Sequence, residues 1–232
     1  MKYRCFLFDL DNTLWDFDTN ARDCITTLIR ARGLESFVPD GYEFYRRYKA
    51  HNELLWQQYE AGEITQQTLR TIRFARTFQE YGIPGAEALS PLFSEEYLDM
   101  MPTRTALMPH ATEVLEDLER KECRMALLTN GFKQVQYSKI KSSGLDRFFN
   151  KRIFISEEVG YHKPNPRMFI AALTAINGKK EETLMVGDNF VNDIEGAQIF
   201  GIDQYYYNPQ HLPCDGAPTL TGDDLRDLKA LA

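Results

Sequence analysis

Residues 4–13 read RCFLFDLDNT, an apolar run that is followed by two aspartates, Asp9 and Asp11. A short apolar run without polar alternation is typical of a strand that is covered on both faces, as in a parallel sheet. Four more runs share this character, which predicts five strands at residues 4–8, 124–128, 152–155, 183–186 and 204–207. Ligands of open α/β sheets bind outside the carboxyl ends of the strands, so the two aspartates mark a candidate site.

Segments with helical periodicity separate the later strands. Residues 111–119 and 166–176 each place their apolar side chains on one helical face. Asn165 and Pro166 supply an N-cap and a proline at the first helical position, and Gly201 indicates the end of a later helix. Strands that alternate with helices predict an α/β fold with right-handed crossovers.

The first crossover is much longer than the others, because residues 9–110 separate the first strand from the helix at 111–119. A connection of this length must carry structure of its own. It contains three groups of apolar residues at helical spacing, and Ser90-Pro91 predicts the start of a fourth helix. We therefore predict an all-helical insertion at residues 16–100 and a core formed by residues 1–15 and 101–232.

Polar residues also follow the other strands, at the points where each should reach the same edge of the sheet. They are Thr129, Asn130 and Gly131 after the second strand, Lys163 beyond the third, and Asp188 and Asp193 after the fourth. Carboxylates that share a half-buried cleft raise one another's pKa, so their joint ionisation requires a cation. A ligand set made of oxygen alone favours Mg²⁺ over zinc or copper.

Four segments resemble, in order, the four motifs of the haloacid dehalogenase (HAD) superfamily. They are DLDNT at residues 9–13, TNG at 129–131, KP at 163–164 and GDNFVND at 187–193. The resemblance spans residues 4 to about 208. It implies a Rossmann-like α/β core with a five-stranded parallel sheet of order 5-4-1-2-3, and an all-helical cap domain inserted after the first motif.

The resemblance also implies a role for each motif residue. Asp9 would attack phosphorus to form an aspartyl-phosphate that water hydrolyses, and Asp11 would act as general acid and then general base. Mg²⁺ would be bound by the Asp9 carboxylate, the Asp11 backbone carbonyl and Asp188. Thr129, Asn130 and Gly131 would bind the phosphate, and Lys163 would be the catalytic lysine that neutralises it. Asp193 would orient Lys163 or a metal-bound water. Thr13 would be a turn residue without a chemical role.

Membership of this superfamily leaves several reactions open. Asp11 argues against dehalogenation, because the dehalogenase branch lacks this second aspartate. The extended first and fourth motifs and the late YNP at residues 207–209 resemble the 5′-nucleotidases of pyrimidine and noncanonical nucleoside monophosphates. We predict a Mg²⁺-dependent phosphatase of that kind. The alternatives are a sugar-phosphate phosphatase, a β-phosphoglucomutase-like mutase and a noncatalytic HAD-fold binding protein. The candidates for stacking on a base are Trp15, Phe17, Tyr45 and Trp56.

The composition excludes other classes of partner. The 232 residues include 27 basic and 34 acidic side chains and carry a net charge of −7, which argues against binding polymeric nucleic acid by general phosphate neutralisation. No apolar stretch approaches the ~20 residues that cross a bilayer, and the four cysteines show no pairing or metal-binding pattern. We expect a cytoplasmic protein, a monomer or small homo-oligomer, that acts on a small phosphorylated metabolite.

Overall fold

The computed structural model describes residues 2–214 and 216–232. Its strands are β1 (Cys5–Phe8), β2 (Arg124–Thr129), β3 (Ile153–Ile155), β4 (Thr183–Gly187), β5 (Asp203–Tyr207) and β6 (Leu220–Gly222). Its α-helices are α1 (Phe17–Ala31), α2 (Gly41–Glu60), α3 (Gln66–Ile72), α4 (Ala75–Glu80), α5 (Ala86–Met100), α6 (Ala111–Arg120), α7 (Lys133–Ser142), α8 (Asp146–Phe149), α9 (Ser156–Val159), α10 (Pro166–Ala175), α11 (Gly196–Phe200) and α12 (Leu228–Leu231). Short 3₁₀ turns occupy Met101–Thr103, Lys180–Glu182 and Leu225–Asp227, and Phe190–Glu195 forms a π-helical turn.

The chain divides into two compact units. One consists of Met1–Phe17 and Thr105–Ala232 and contains the sheet, and the other is Asp18–Arg104. All residues of the second unit are described, and they form helices and loops without a strand. Within the described part of the chain, no helix has both the length and the apolar composition that a membrane span requires.

The sheet consists of parallel strands in the order β3-β2-β1-β4-β5-β6. The five predicted strands and their relative order are confirmed, but the predicted number of five is wrong. β6 extends the sheet beside β5, where Leu220 pairs with Tyr205. Because β6 has only three residues, none of them fully buried, it lacks the apolar run by which the other strands were predicted.

β1 lies in the middle of the sheet, and this position places the candidate site. Its residue Phe8 is in register with Leu127 of β2 on one side and Val186 of β4 on the other. All four residues of β1 are fully buried, which accounts for their uninterrupted apolar character. The next residue, Asp9, donates its backbone N–H to the Val186 carbonyl at 2.9 Å, so it lies at the centre of the carboxyl edge.

Two of the three predicted helix boundaries are confirmed. Asn165 caps α10 by accepting a hydrogen bond from Arg167 N, and Pro166 is its first residue. Gly201 ends α11 with a φ of +87°, a conformation that glycine adopts at no steric cost.

The predicted start of a helix at Ser90-Pro91 is wrong, because α5 already begins at Ala86. The Ser90 hydroxyl donates to the Thr71 carbonyl at 2.8 Å and accepts from Phe74 N at 3.3 Å. Ser90 therefore satisfies backbone groups around the ends of α3 and α4 instead of capping its own helix.

Aromatic side chains dominate the interior of the helical unit. Tyr48 stacks on Phe74 with ring centroids 4.3 Å apart, and Phe93 contacts Phe74 and Phe78 edge-on at 4.8 and 5.1 Å. Such aromatic pairs add stabilisation beyond the burial of their area. The unit thus has a core of its own, as its separation into a compact unit indicates.

Candidate active site

The turn after β1 carries both aspartates of the first motif. Asn12 has a φ of +61°, in the left-handed region that asparagine tolerates better than most residues, and its N–H donates to the Trp15 carbonyl at 2.7 Å. Leu14 N and Trp15 N both donate to the Leu10 carbonyl, at 2.9 and 2.8 Å. This compact turn begins directly after β1. Asp9 therefore stays at the strand end, and Asp11 follows it two residues later within the turn.

Lys163 connects the end of β1 with the segment after β4. Its side chain is buried, and its ammonium donates to Asp9 Oδ1 at 2.5 Å, to Asp193 Oδ1 at 2.6 Å and to the Leu128 carbonyl at 2.9 Å. A lysine ammonium has three donors, and all three are used here. The structure thus brings together Asp9, Lys163 and Asp193, which the sequence predicted as parts of one site.

Asn130 holds the loop that carries Lys163. Lys163 N donates to Asn130 Oδ1 at 2.8 Å, and Asn130 Nδ2 donates to the Lys163 carbonyl at 2.9 Å. The resemblance assigns Asn130 to phosphate binding, and in the structure its side chain also joins the second and third motifs. The neighbouring Gly131 donates its N–H to Ser156 Oγ at 3.3 Å.

The buried charges perturb one another strongly. Burial raises the pKa of Asp9 to about 7, although the charge of Lys163 opposes that shift. Burial, together with the charges of Asp9 and Asp193, raises the pKa of Asp188 well above its usual range. Burial lowers the pKa of Lys163, but the charges of Asp193 and Asp9 raise it by more, so it stays above the usual lysine value. The site therefore holds an excess of buried negative charge.

The carboxylates are close enough to bind one cation. Asp9, Asp188 and Asp193 each offer an oxygen, and these atoms lie within 4.8 Å of one another. The donor set is made of hard carboxylate oxygens only, and it carries more negative charge than Lys163 neutralises, so these residues fit Mg²⁺. Both oxygens of Asp193 already accept hydrogen bonds, from Lys163 Nζ and from Asn189 N at 3.1 Å, which leaves Asp9 and Asp188 as the freer ligands.

The Asp11 carboxylate has partners that the sequence analysis missed. Lys139 Nζ approaches its two oxygens at 2.8 and 3.1 Å, and Gln136 Nε2 donates to Oδ2 at 2.9 Å. Gln136 and Lys139 are three residues apart on α7, so they share a helix face, and both are buried. Long polar side chains at the buried positions of a helix that follows the TNG segment are the signal that could have identified them.

Thr129 and Gly131 are also close to Gln136. Thr129 Oγ1 accepts a hydrogen bond from Gln136 Nε2 at 2.5 Å. A Cβ atom at Gly131 would lie 2.8 Å from Gln136 Cδ and 2.9 Å from Nε2. A side chain at position 131 would therefore displace the Gln136 amide from its present position.

The aromatic candidates for base stacking differ in exposure. Trp15 and Tyr45 are buried, at 0% and 5% exposure, so neither presents a free ring face. The Tyr45 hydroxyl donates to Asp18 Oδ1 at 2.7 Å. Phe17 and Trp56 are half-buried. This burial argues against Trp15 and Tyr45 as stacking candidates, because both rings are used in packing.

The fold and this constellation define a hydrolase class. A family model described as haloacid dehalogenase-like hydrolase matches residues 3–201. The chain belongs to this family, and the predicted superfamily and enzymatic nature are confirmed.

Two curated relatives and one solved structure are similar over most of the chain. The pyrimidine 5′-nucleotidase PynA of Streptococcus pneumoniae is 33% identical over 91% of this chain and 86% of its own. The pyrimidine 5′-nucleotidase YjjG of Escherichia coli is 32% identical over 100% of this chain and 98% of its own. The structure of the putative HAD-hydrolase YfnB of Bacillus subtilis bound to magnesium superposes with a TM-score of 0.86 at 29% identity, covering 100% of this chain and 99% of that one.

Proposed function

We propose that this protein is a Mg²⁺-dependent phosphatase that hydrolyses small phosphomonoesters through an aspartyl-phosphate, and that its substrates are pyrimidine or noncanonical nucleoside 5′-monophosphates. The observation that carries the proposal is the buried Lys163 ammonium, which contacts both Asp9 and Asp193 at the carboxyl edge of the sheet. This arrangement places a nucleophilic carboxylate beside a fixed positive charge, as attack on a phosphate anion requires.

Each polar group would take one part in the reaction. Asp9 is the nucleophile, and Lys163 neutralises the phosphate while Asp193 keeps the ammonium in place. Asp11 protonates the leaving alkoxide and later accepts a proton from the attacking water. Thr129, with the N–H groups of Asn130 and Gly131, binds the phosphate oxygens at the start of the segment that leads into α7.

Asp9, the Asp11 carbonyl and Asp188 would hold Mg²⁺. The bound cation supplies charge neutralisation between the carboxylate nucleophile and the phosphate dianion. The high pKa that burial imposes on Asp9 and Asp188 supports this assignment, because a cation would remove the reason for their protonation. The relative YfnB, bound to magnesium in its structure, adds support.

The substrate class is supported by two relatives. PynA and YjjG are both pyrimidine 5′-nucleotidases. We propose that the helical insertion predicted at residues 16–100, which forms most of the compact unit Asp18–Arg104, acts as the substrate-selecting cap of a catalytic core made of residues 1–15 and 101–232. We further propose that the protein acts on free metabolites in the cytoplasm.

A phosphate-release assay with Mg²⁺ tests the proposal. The panel contains nucleoside 5′-monophosphates with pyrimidine, purine and noncanonical bases, hexose phosphates and p-nitrophenyl phosphate. We expect release from pyrimidine or noncanonical nucleotides, and loss of nearly all activity in Asp9→Asn. Asp99→Asn, at an exposed position of α5, is the matched control and should retain activity. Absence of release from every compound, or full activity of Asp9→Asn, would contradict the proposal. Isomerised hexose phosphate without release of phosphate would favour the mutase.

A further inference from the structure

Two side chains of α7 enclose the carboxylate of Asp11. Gln136 and Lys139 are 2% and 3% exposed, and both donate to Asp11, whose own side chain is 26% exposed. A lysine is almost never buried unless its charge is paired. The pairing partner here is Asp11, which lies 128 residues earlier in the chain.

The ammonium of Lys139 also lies over two aromatic rings. It lies 4.6 Å from the centroid of the Trp15 ring and 5.1 Å from that of Phe17. Both distances are within the range of an attractive cation–π contact. Asp11 and Trp15 form a β-bridge with each other, so the turn that carries the carboxylate also positions one of the rings. The lysine ammonium thus contacts one carboxylate and two aromatic rings.

Gln136 links Asp11 to the end of β2. Its Nε2 atom has two hydrogens, and it contacts Asp11 Oδ2 at 2.9 Å and Thr129 Oγ1 at 2.5 Å. The absence of a side chain at Gly131 leaves the space that the Gln136 amide occupies. Asp11 is therefore tied to the segment that binds phosphate in the proposed function.

We propose that Gln136 and Lys139 form a clamp that orients the Asp11 carboxyl group for proton transfer to the leaving group. The inference rests on the proposed function. In that reaction a bond forms between Asp9 and phosphorus while the ester P–O bond breaks, and its electron pair goes to the ester oxygen. That oxygen takes the proton of Asp11, which gives the free alcohol and the Asp11 carboxylate. Gln136 and Lys139 are positioning residues, because they act through Asp11.

Proton transfer requires a donor within about 2.6–3.2 Å of its acceptor. A carboxyl group that is free to rotate would spend much of its time in other orientations. The clamp restricts this rotation with contacts to both carboxylate oxygens. Its loss should therefore slow the reactions that need protonation of the leaving group and spare those that do not.

Leaving-group dependence tests the clamp. A nucleoside 5′-monophosphate releases an alkoxide that must be protonated, whereas p-nitrophenyl phosphate releases a stabilised phenolate. The value of kcat/KM covers the steps up to formation of the aspartyl-phosphate, so it reports on the departure of the leaving group. We expect Lys139→Met to lower kcat/KM for the nucleotide by about 10- to 100-fold and for p-nitrophenyl phosphate by less than about 3-fold, a part of the gain that acid catalysis provides.

Matched variants separate orientation from a general loss of structure. Lys139→Arg keeps a positive charge and its donors, and should recover part of the nucleotide activity. Gln136→Leu removes the other contact and should show the same substrate pattern as Lys139→Met, so the test survives if one variant fails to fold. Lys141→Met removes an exposed lysine from the same helix and should behave as the unaltered protein.

A double-mutant cycle gives the decisive readout. In an Asp11→Asn background, Lys139→Met should lower kcat/KM for the nucleotide by less than about a further 3-fold, because the carboxyl group through which Lys139 acts is already lost. Equal decreases in kcat/KM for both substrates would overturn the proposal of a clamp. Decreases that multiply in the double mutant would overturn it as well. If Asp11→Asn itself shows no leaving-group dependence, the proposed role of Asp11 fails and the clamp fails with it. If Asp11→Asn shows that dependence but Lys139→Met does not, only the clamp is refuted.

Discussion

Thr13 and Asp188 are joined by two hydrogen bonds across 175 positions of the chain. Asp188 N donates to Thr13 Oγ1 at 3.1 Å, and the same hydroxyl donates to Asp188 Oδ1 at 3.2 Å. Thr13 is completely buried. The first motif predicts for Thr13 only a turn position without a chemical role, but the Thr13 hydroxyl contacts both the backbone and the carboxylate of a proposed metal ligand.

Thr13→Val is expected to weaken Mg²⁺ binding by about 10- to 100-fold, the usual effect of removing a partner that orients a metal ligand. Valine keeps the volume of the side chain but cannot donate to Asp188. Isothermal titration calorimetry with Mg²⁺ measures the change directly. Thr174→Val, at an exposed position of α10, is the control. An unchanged affinity in Thr13→Val would show that the hydroxyl only supports the turn.

The stability of the metal-free protein should fall as the pH rises from about 4 to about 7. Burial raises the pKa of Asp9 from 3.8 to about 7, so the folded chain binds a proton in this range that the unfolded chain has released. The contribution of Asp9 is therefore complete below the unfolded pKa and is lost as the pH passes the folded pKa. Asp188 acts in the same direction.

Mg²⁺ competes with these protons, so it should raise the melting temperature more at about pH 8 than at about pH 5. Thermal unfolding with added Mg²⁺ or with a chelator measures the difference. Asp188→Asn should abolish most of the Mg²⁺ effect, whereas Asp99→Asn should preserve it. An equal effect of Mg²⁺ at both pH values would contradict the assignment of Asp9 and Asp188 as metal ligands.

Gly187→Ala should destabilise the protein by about 1–3 kcal/mol, the usual cost of overpacking an interior. A Cβ atom at position 187 would lie 2.3–2.5 Å from the Asp193 side chain, which is buried and hydrogen-bonded to Lys163. Urea unfolding measures the change. Gly144→Asn is the control, because Gly144 has a φ of +71° that asparagine tolerates and nothing lies within 4 Å of its Cβ position. A neutral Gly187→Ala would mean that Asp193 has room to move.

Asn52→Ala should destabilise the helical unit by about 1.5–3 kcal/mol, because it removes a hydrogen bond to a buried charge. Arg73 is 3% exposed and donates to Asn52 Oδ1 at 2.9 Å. The Nε and Nη1 atoms of Arg73 have no hydrogen-bond partner within residues 2–214 and 216–232. The hydrogen bond to Asn52 is therefore important for stabilising the buried guanidinium. Urea unfolding of this variant and of Gln57→Ala, an exposed change on the same helix, makes the comparison. Equal midpoints for the two variants would contradict the expectation.

The sequence predicted most of the sheet for a definite physical reason. Strands covered on both faces must be apolar throughout, and β1 to β4 are read from that property alone. The sequence does not predict β6, because this strand is short and lies at the edge of the sheet, where an apolar run is not required. The helix start predicted at Ser90-Pro91 is wrong because a cap signature is local, whereas the role of Ser90 depends on the chain around Thr71 and Phe74.

The sequence by itself determined the α/β class, the family and the residues at the strand ends, because these depend on local composition and on motifs at fixed spacing. The tertiary structure alone decided which side chains those residues contact. The partners of Asp11 on α7 lie 125 and 128 positions away, and the partner of Thr13 lies 175 away. Parallel strands bring such distant segments to one edge, and hydrogen bonds formed there depend on register and side-chain direction, which local patterns do not encode.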